Sequence, residues 1–287
     1  MWIRLENISY TYGKGTSYEK KALNHINMEI QEGEFIGIIG HTGSGKSTLI
    51  QHLNGLLKAT EGTIFFKEEN IYKKNYKKRN LRNQVGIVFQ YPEQQLFEST
   101  VLKDVAFGSR NQGFSQEESN EKAKSALKLV GLSENLYEES PMELSGGQKR
   151  RAAIAGVLAM EPSLLILDEP TAGLDPKGRR EILEPIRQLN KEKNMAVILV
   201  SHNMEDIAEY ANRLIVMDKG SVKYDDTPNT IFMHTKELKE IGLSAPEPVL
   251  YLEELINRGL PIQKGAITLE EAAEEIFNQY KKAGGRF

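Results

Sequence analysis

Eight consecutive residues, Gly40-His41-Thr42-Gly43-Ser44-Gly45-Lys46-Ser47, have the spacing of a phosphate-binding P-loop. Glycines let successive backbone N–H groups turn inward on one anion, and a helix that starts here adds roughly half a positive charge. Lys46 can reach the outer phosphates of a nucleotide, and the Ser47 hydroxyl can join a Mg2+ ion. Gly40, Thr42, Gly43, Ser44, Gly45, Lys46, Ser47 and Thr48 are therefore the expected phosphate-side residues. The context suits the chemistry: the apolar run Phe35 to Ile39 precedes the loop, and Thr48-Leu49-Ile50-Gln51-His52-Leu53 reads as helix after it. A glycine-rich turn with no ligand needs neither neighbour.

Two further clusters extend this chemistry. Leu164 to Leu167 are apolar and end in Asp168-Glu169. A carboxylate at the end of a strand beside a P-loop can hold Mg2+ through water, and the next one can orient and deprotonate an attacking water. Acidic residues also end strands for solubility, but the P-loop in the same chain favours the catalytic reading. The other cluster is Leu144-Ser145-Gly146-Gly147-Gln148, ahead of a helix expected from about Lys149 to Met160. Its backbone N–H groups and Ser145 make a second anion site. Far from the P-loop in sequence, it cannot easily reach the same nucleotide, and it can reach one held by a second molecule.

These groups need a scaffold that holds several strand ends side by side. Continuous apolar runs at Phe35 to Ile39, Val85 to Phe89, Leu164 to Leu167, Ala196 to Val200 and Leu214 to Met217 read as strands covered on both faces. Helical patterns separate several of them, which predicts an α/β fold with a mostly parallel sheet. Two earlier strands are expected, through Ile8 and Tyr10 and from about Ala22 to Ile30. From Tyr91 to about Met142 the strand pattern stops. Ser115 and Glu118 form a capping box, Ala123, Ala126, Leu127 and Val130 share one helical face, and Gly131 ends it. This predicts an inserted helical subdomain. Asp175-Pro176 starts a later helix, and Thr268 with Glu271 caps a last amphipathic one containing Ala272, Ala273 and Ile276.

Composition narrows the class. The chain has 287 residues, 39% of them apolar and 27% charged, a net charge of -3 and no cysteine. No global field favours nucleic acid, and disulfides and thiolate metal sites are excluded. The start, Met1-Trp2-Ile3-Arg4-Leu5-Glu6, lacks the apolar run of a signal peptide, and no stretch approaches the ~20 residues of a membrane helix. A membrane role would require docking on another chain. The basic run Lys73 to Arg82 reads as a solvated loop and helix face.

At this point the chain resembles an ABC ATPase, with motifs covering residues 1 to about 230 in the family's order. The resemblance implies a P-loop NTPase fold with an N-terminal β subdomain, an ATPase domain over 1–234 with a helical insertion at about 91–150, and a helical extension over 235–287. It also implies two subunits packed head to tail around two ATP molecules, each ATP held by one P-loop and by the other subunit's Ser145, Gly146, Gly147 and Gln148. Tyr12 matches the aromatic that stacks on adenine. Gln90 matches the glutamine that touches Mg2+ and links the core to the helical subdomain, and Asp168 and Ser47 complete the Mg2+ residues. His202 matches the γ-phosphate histidine, and Asp175 lies in the loop that crosses the interface. With Glu169 and Lys46 also present, no catalytic position of the family is replaced. His25, His41, His52 and His234 have no such match and are expected on the surface or in packing.

Gln90-Tyr91-Pro92-Glu93-Gln94-Gln95-Leu96-Phe97, Val105 to Gly108 and Ala152 to Met160 are similar to the energy-coupling-factor branch, whose members import vitamins or transition-metal ions. Asp168-Glu169-Pro170-Thr171-Ala172-Gly173-Leu174-Asp175-Pro176 resembles that branch's second, A′, ATPase; the first commonly ends Ser-Met-Leu-Asp here. The tail from Thr235, with Ile241-Gly242-Leu243, is similar to that subunit's extension, expected to bind a partner. The resemblance implies a paralogous ATPase partner (a homodimer being the alternative), a membrane-embedded coupling subunit, a substrate-binding membrane subunit, and a peripheral position on the cytoplasmic face of the cell membrane. ATP and Mg2+ are the implied cofactors. Another type of ABC transporter is the alternative. A nucleic-acid-directed ABC ATPase is disfavoured, because the interval from Ser47 to Leu144 shows no sustained heptads, and a translation factor because only one cassette is present.

Overall fold

The computed structural model describes residues 2–282. Its strands, in chain order, are β1 (Ile3–Tyr12), β2 (Lys20–Ile30), β3 (Phe35–Ile39), β4 (Glu61–Phe66), β5 (Glu69–Asn70), β6 (Val85–Val88), β7 (Leu164–Asp168), β8 (Ala196–Val200), β9 (Arg213–Asp218) and β10 (Ser221–Asp226). The helices of eight residues or more are α1 (Lys46–Leu53), α2 (Val101–Gln112), α3 (Gln116–Leu129), α4 (Gly146–Leu158), α5 (Pro176–Lys193), α6 (Glu247–Asn257) and α7 (Leu269–Lys282). The central sheet has the order β10-β9-β3-β8-β7-β6. All its neighbouring pairs are parallel except the edge pair β10–β9.

Every residue of β3, β7 and β8 is buried, and their side chains alternate between two cores. Ile36, Ile38, Leu164, Ile166, Ile198 and Val200 belong to one core, with Leu49, Ile50 and Leu53 of α1 and the inner residues of the antiparallel sheet β2-β1-β4-β5. Phe35, Ile39, Leu165, Leu167, Val197 and Leu199 belong to the other, with Val105 of α2, Leu127 of α3, Ala155 of α4 and Leu183 of α5. A strand covered on both faces has no polar side, which is why these runs read as continuous. Truncating one such residue, Ile38→Ala for example, removes contacts in a fully buried position and costs about 2–5 kcal/mol. That double cover holds the carboxyl ends of β3, β7 and β8 together on one edge of the sheet.

The expected caps are present. Ser115 and Glu118 form the capping box of α3, Asp175 caps α5 through Gly178, and the Glu271 N–H donates to Thr268 Oγ1 at the start of α7. The helix expected from about Lys149 instead begins at Gly146 and ends at Leu158. Ser145 is its N-cap, and a reciprocal bond with Gln148 lets the two glycines take helical geometry. Strands β4, β5 and β10 were not legible. In β4 only Ile64 and Phe66 are buried, and in β10 no residue is, so neither carries a continuous signal. In the tail, Leu238, Leu243, Ala245 and Val249 join the helix-side core, while Leu252, Ile262 and Ala272 make a small cluster of their own.

Candidate functional site

The P-loop leaves β3 at Ile39 and enters α1 at Lys46. Glycine is required at two points of this path. A Cβ on Gly40 would lie 2.5 Å from the Met217 carbonyl, and Gly45, at φ +105, would place one 2.6 Å from the Ala22 carbonyl. The start of α1 has no side-chain cap and no acidic residue in its first turn, so its N–H groups and partial positive charge are available to an anion. Lys46 is buried, and its Nζ donates to the Gly40 carbonyl at 2.6 Å and the His41 carbonyl at 3.2 Å. Burial lowers its pKa, against the pull of Glu169 and Asp168.

One cavity of about 470 Å3 brings most of the sequence-predicted residues together. Thr42, Gly43, Gly45, Lys46, Ser47 and Thr48 line it from the loop, Asp168, Glu169 and His202 from the ends of β7 and β8, and Gln90 from the end of β6. Gly40 and Ser44 are buried and are not on its wall. Tyr12 closes the far side, 41% exposed, its hydroxyl 3.2 Å from Thr48 Oγ1 and its ring edge-on to Tyr10. Tyr10 packs on His52, whose Nδ1 lies 2.7 Å from the Thr48 carbonyl. His52 is thus a packing residue. His41 lies between the Thr42 carbonyl and Asp218, and His234 stacks on Tyr224.

Asp168 is the last residue of β7, and burial raises its pKa while Ser47 and Lys46 pull it back. Glu169 follows with φ 52, a left-handed conformation uncommon outside glycine, fixed by its N–H donating to the Val200 carbonyl. Its carboxyl is held at about 7, mainly by burial, with the His202 N–H opposing and Asp168 reinforcing. Glu169 Oε2 accepts from the His202 N–H at 3.4 Å, while Oε1 has no hydrogen-bond partner among the described residues. His202 Nε2 lies 3.5 Å from that oxygen. A carboxyl held at about 7 on the wall of a cavity is what a general base requires.

Ser47, Gln90 and Asp168 offer a hydroxyl, an amide and one carboxylate on one wall. This oxygen set suits Mg2+ arriving with nucleotide phosphates, which uses one or two carboxylates plus substrate oxygens. Among the described residues no group of three or more His, Asp or Glu could hold a metal by itself.

Ser145, Gly146, Gly147 and Gln148 do not line this cavity. A Cβ on either glycine meets nothing within 4 Å, and the first turn carries no acid. Asp175 is exposed and likewise off the cavity. Lys20 and Ala22 of β2 line it, and the sequence reading missed them because a strand edge facing a ligand has the same alternation as one facing water.

Comparisons with known proteins show the family. The family model described as "ABC transporter" matches residues 23–172. The chain is 54% identical to the energy-coupling factor transporter ATP-binding protein EcfA2 of Caldanaerobacter subterraneus, covering 96% of each. It is 52% identical to the EcfA2 of Acetivibrio thermocellus, covering 99% of this chain and 100% of that one. Among solved structures it is similar to cbiO1 of Clostridium perfringens, part of the ABC transporter complex cbiONQ (TM-score 0.74, 38% identity, 89% of this chain and 98% of that one). It is also similar to the ATP-binding cassette MJ0796, a dimer in a post-hydrolysis state bound to ADP and Pi (TM-score 0.71, 32% identity, 78% and 98%).

Proposed function

The chain belongs to the ABC transporter family, as an ATP-binding, ATP-hydrolysing subunit of the energy-coupling-factor type, and on that premise we propose how its residues divide the work. Tyr12 stacks on the adenine, and the P-loop N–H groups with Lys46 hold the phosphates. Ser47, Asp168 and Gln90 would hold Mg2+, which would neutralise charge on the phosphate oxygens. Glu169 orients and deprotonates the attacking water, and His202 donates to the γ-phosphate. Ser145, Gly146, Gly147 and Gln148 face the ATP of a second ATPase chain, with Asp175 in the loop that crosses between the two.

The observation that carries this reading is a division within one chain: P-loop, carboxylates and His202 share a cavity, while the second anion site stands apart and open. The dimeric state of the MJ0796 cassette and the cbiONQ complex of cbiO1 support an assembly of the same kind here. Residues 1–234 act as the ATPase domain, the helices from about 91–150 as its insertion, and 235–287 as a partner-binding extension. The second ATPase is a paralogue. The pair docks on a membrane-embedded coupling subunit that also holds a substrate-binding subunit, at the cytoplasmic face of an importer for vitamins or transition-metal ions. Among the described residues no helix is long and apolar enough to cross a membrane. Exposed Tyr91, Phe97 and Met142 provide apolar surface beside Gln90 and the helical insertion. Closure of the pair on ATP moves the membrane subunit, and hydrolysis resets it.

Purification of the chain from native membranes tests this. Recovery with a second ATPase and two membrane proteins is the expected result; recovery as a lone chain contradicts the assembly.

A further inference from the structure

Arg150 lies near the start of α4, is 6% exposed, and divides its guanidinium between two separate segments. Nε and Nη2 donate to the two oxygens of Glu93 at 3.2 and 3.1 Å, a bidentate pair. Nη1 donates to the Ala172 carbonyl at 2.7 Å and the Pro170 carbonyl at 3.3 Å. Glu93 belongs to the short turn Pro92–Gln95 that follows Gln90. Pro170 to Ala172 is the backbone immediately after Glu169.

The same loop is fixed from its other side. Thr171 Oγ1 donates to Asp206 Oδ2 at 2.9 Å, both residues being buried, and Asp206 sits in the helix Met204–Tyr210 that begins just after His202. An arginine that needed only a counter-charge would be satisfied by Glu93. The third nitrogen reaches instead for two carbonyls, a geometry that the planar fork of arginine allows and lysine cannot copy.

We propose that Arg150 is a positioning residue that ties the turn after Gln90 to the loop after Glu169, so that a displacement of that turn shifts the backbone that aims the Glu169 carboxylate. The two ends of this link adjoin the two surfaces the function needs to connect: the turn borders the exposed aromatic surface at Tyr91 and Phe97, and the loop directly follows Glu169 of the cavity wall. The inference rests on the role given above to Glu169, while the link itself is measurable without nucleotide or a membrane partner.

Amide hydrogen exchange in the full chain, read at residues 91–96 and 169–174, tests it in the wild type, Glu93→Gln, Arg150→Lys and Arg150→Gln. The Glu93 carboxylate accepts from Arg150 and makes no bond to the 169–174 segment, yet Glu93→Gln is expected to raise exchange there by about tenfold, the scale of a weakened charge-assisted bond. Arg150→Gln should loosen both segments. Arg150→Lys should spare 91–96 and loosen 169–174. Wild-type exchange at 169–174 in Glu93→Gln overturns the proposal, and that variant keeps the test available should Arg150→Gln fail to fold. In the assembled ATPase, Glu93→Gln and Arg150→Gln should each lower kcat with the KM for ATP little changed, and the double variant should be no worse than the worse single one. Losses that multiply contradict the link. If the exchange pattern holds while Glu169→Gln turns over normally, the assignment of Glu169 is wrong and the link stands.

Discussion

Two helix starts in this chain present N–H groups to an anion, and they differ in their surroundings. The start of α1 has no side-chain cap and sits in a cavity with Asp168, Glu169 and His202. The start of α4 is closed by the Ser145–Gln148 capping box, leaves its two glycines in open space, and borders none of those groups. The first brings together the lysine, carboxylates and histidine proposed above to carry hydrolysis. The second has only the means to hold an anion. The difference supports the proposed division, with the chemistry at one site and the completion of a neighbour's site at the other.

The largest effect that would break this contrast lies at Glu169. Glu169→Gln should lower steady-state ATP turnover by about 10^2–10^4-fold, the usual worth of a general base, with ATP binding retained. Wild-type turnover would sink the role given to this carboxylate. At α4, Gly147→Asp places a negative charge at a helix start with room for it, so thermal stability should hold or rise slightly. Hydrolysis by the assembled pair should nevertheless fall by roughly 10^2-fold, as when a preorganised anion contact is lost. Normal activity in that variant would mean that the second anion site holds nothing.

The pH dependence separates the sites further. With the Glu169 carboxyl at about 7, kcat/KM should fall about tenfold per pH unit below that point, and the slope should vanish in Glu169→Gln. The stability effect has the opposite sign. The folded chain keeps this proton where the unfolded chain, near 4.5, has released it, so stability falls as pH rises from about 4.5 to about 7. Glu169→Gln should recover up to about 3 kcal/mol of it at pH 8 in denaturant titrations. The smallest effect is at the adenine side. Tyr12→Ala should weaken ATP binding by about tenfold, the scale of one aromatic stack, while Tyr10→Phe leaves it unchanged.

Much of the first site was legible because its residues are neighbours in sequence or mark the ends of continuous apolar strands. Ile39 to Ser47, Leu164 to Glu169 and Ala196 to His202 announce themselves that way. Lys20 and Ala22 did not, since they approach the cavity only through the pairing of β1 with β2. The link through Glu93, Arg150 and Ala172 joins three distant segments, and no local pattern encodes it. The sequence starts the helix near Lys149 rather than Gly146 because two glycines are poor helix formers, and the capping box that offsets them uses a glutamine that also belongs to a ligand motif.

The claim that the start of α4 completes another chain's ATP site is tested most directly by cross-linking. The chain has no cysteine, so Ser145→Cys introduces a single thiol, to be paired with a single cysteine in the P-loop of a second ATPase chain. In the Glu169→Gln background and with a mild thiol oxidant present throughout, the expected result is an interchain disulfide that forms only when ATP is added. No ATP-dependent interchain bond, or a bond within one chain when both cysteines are placed there, would contradict it.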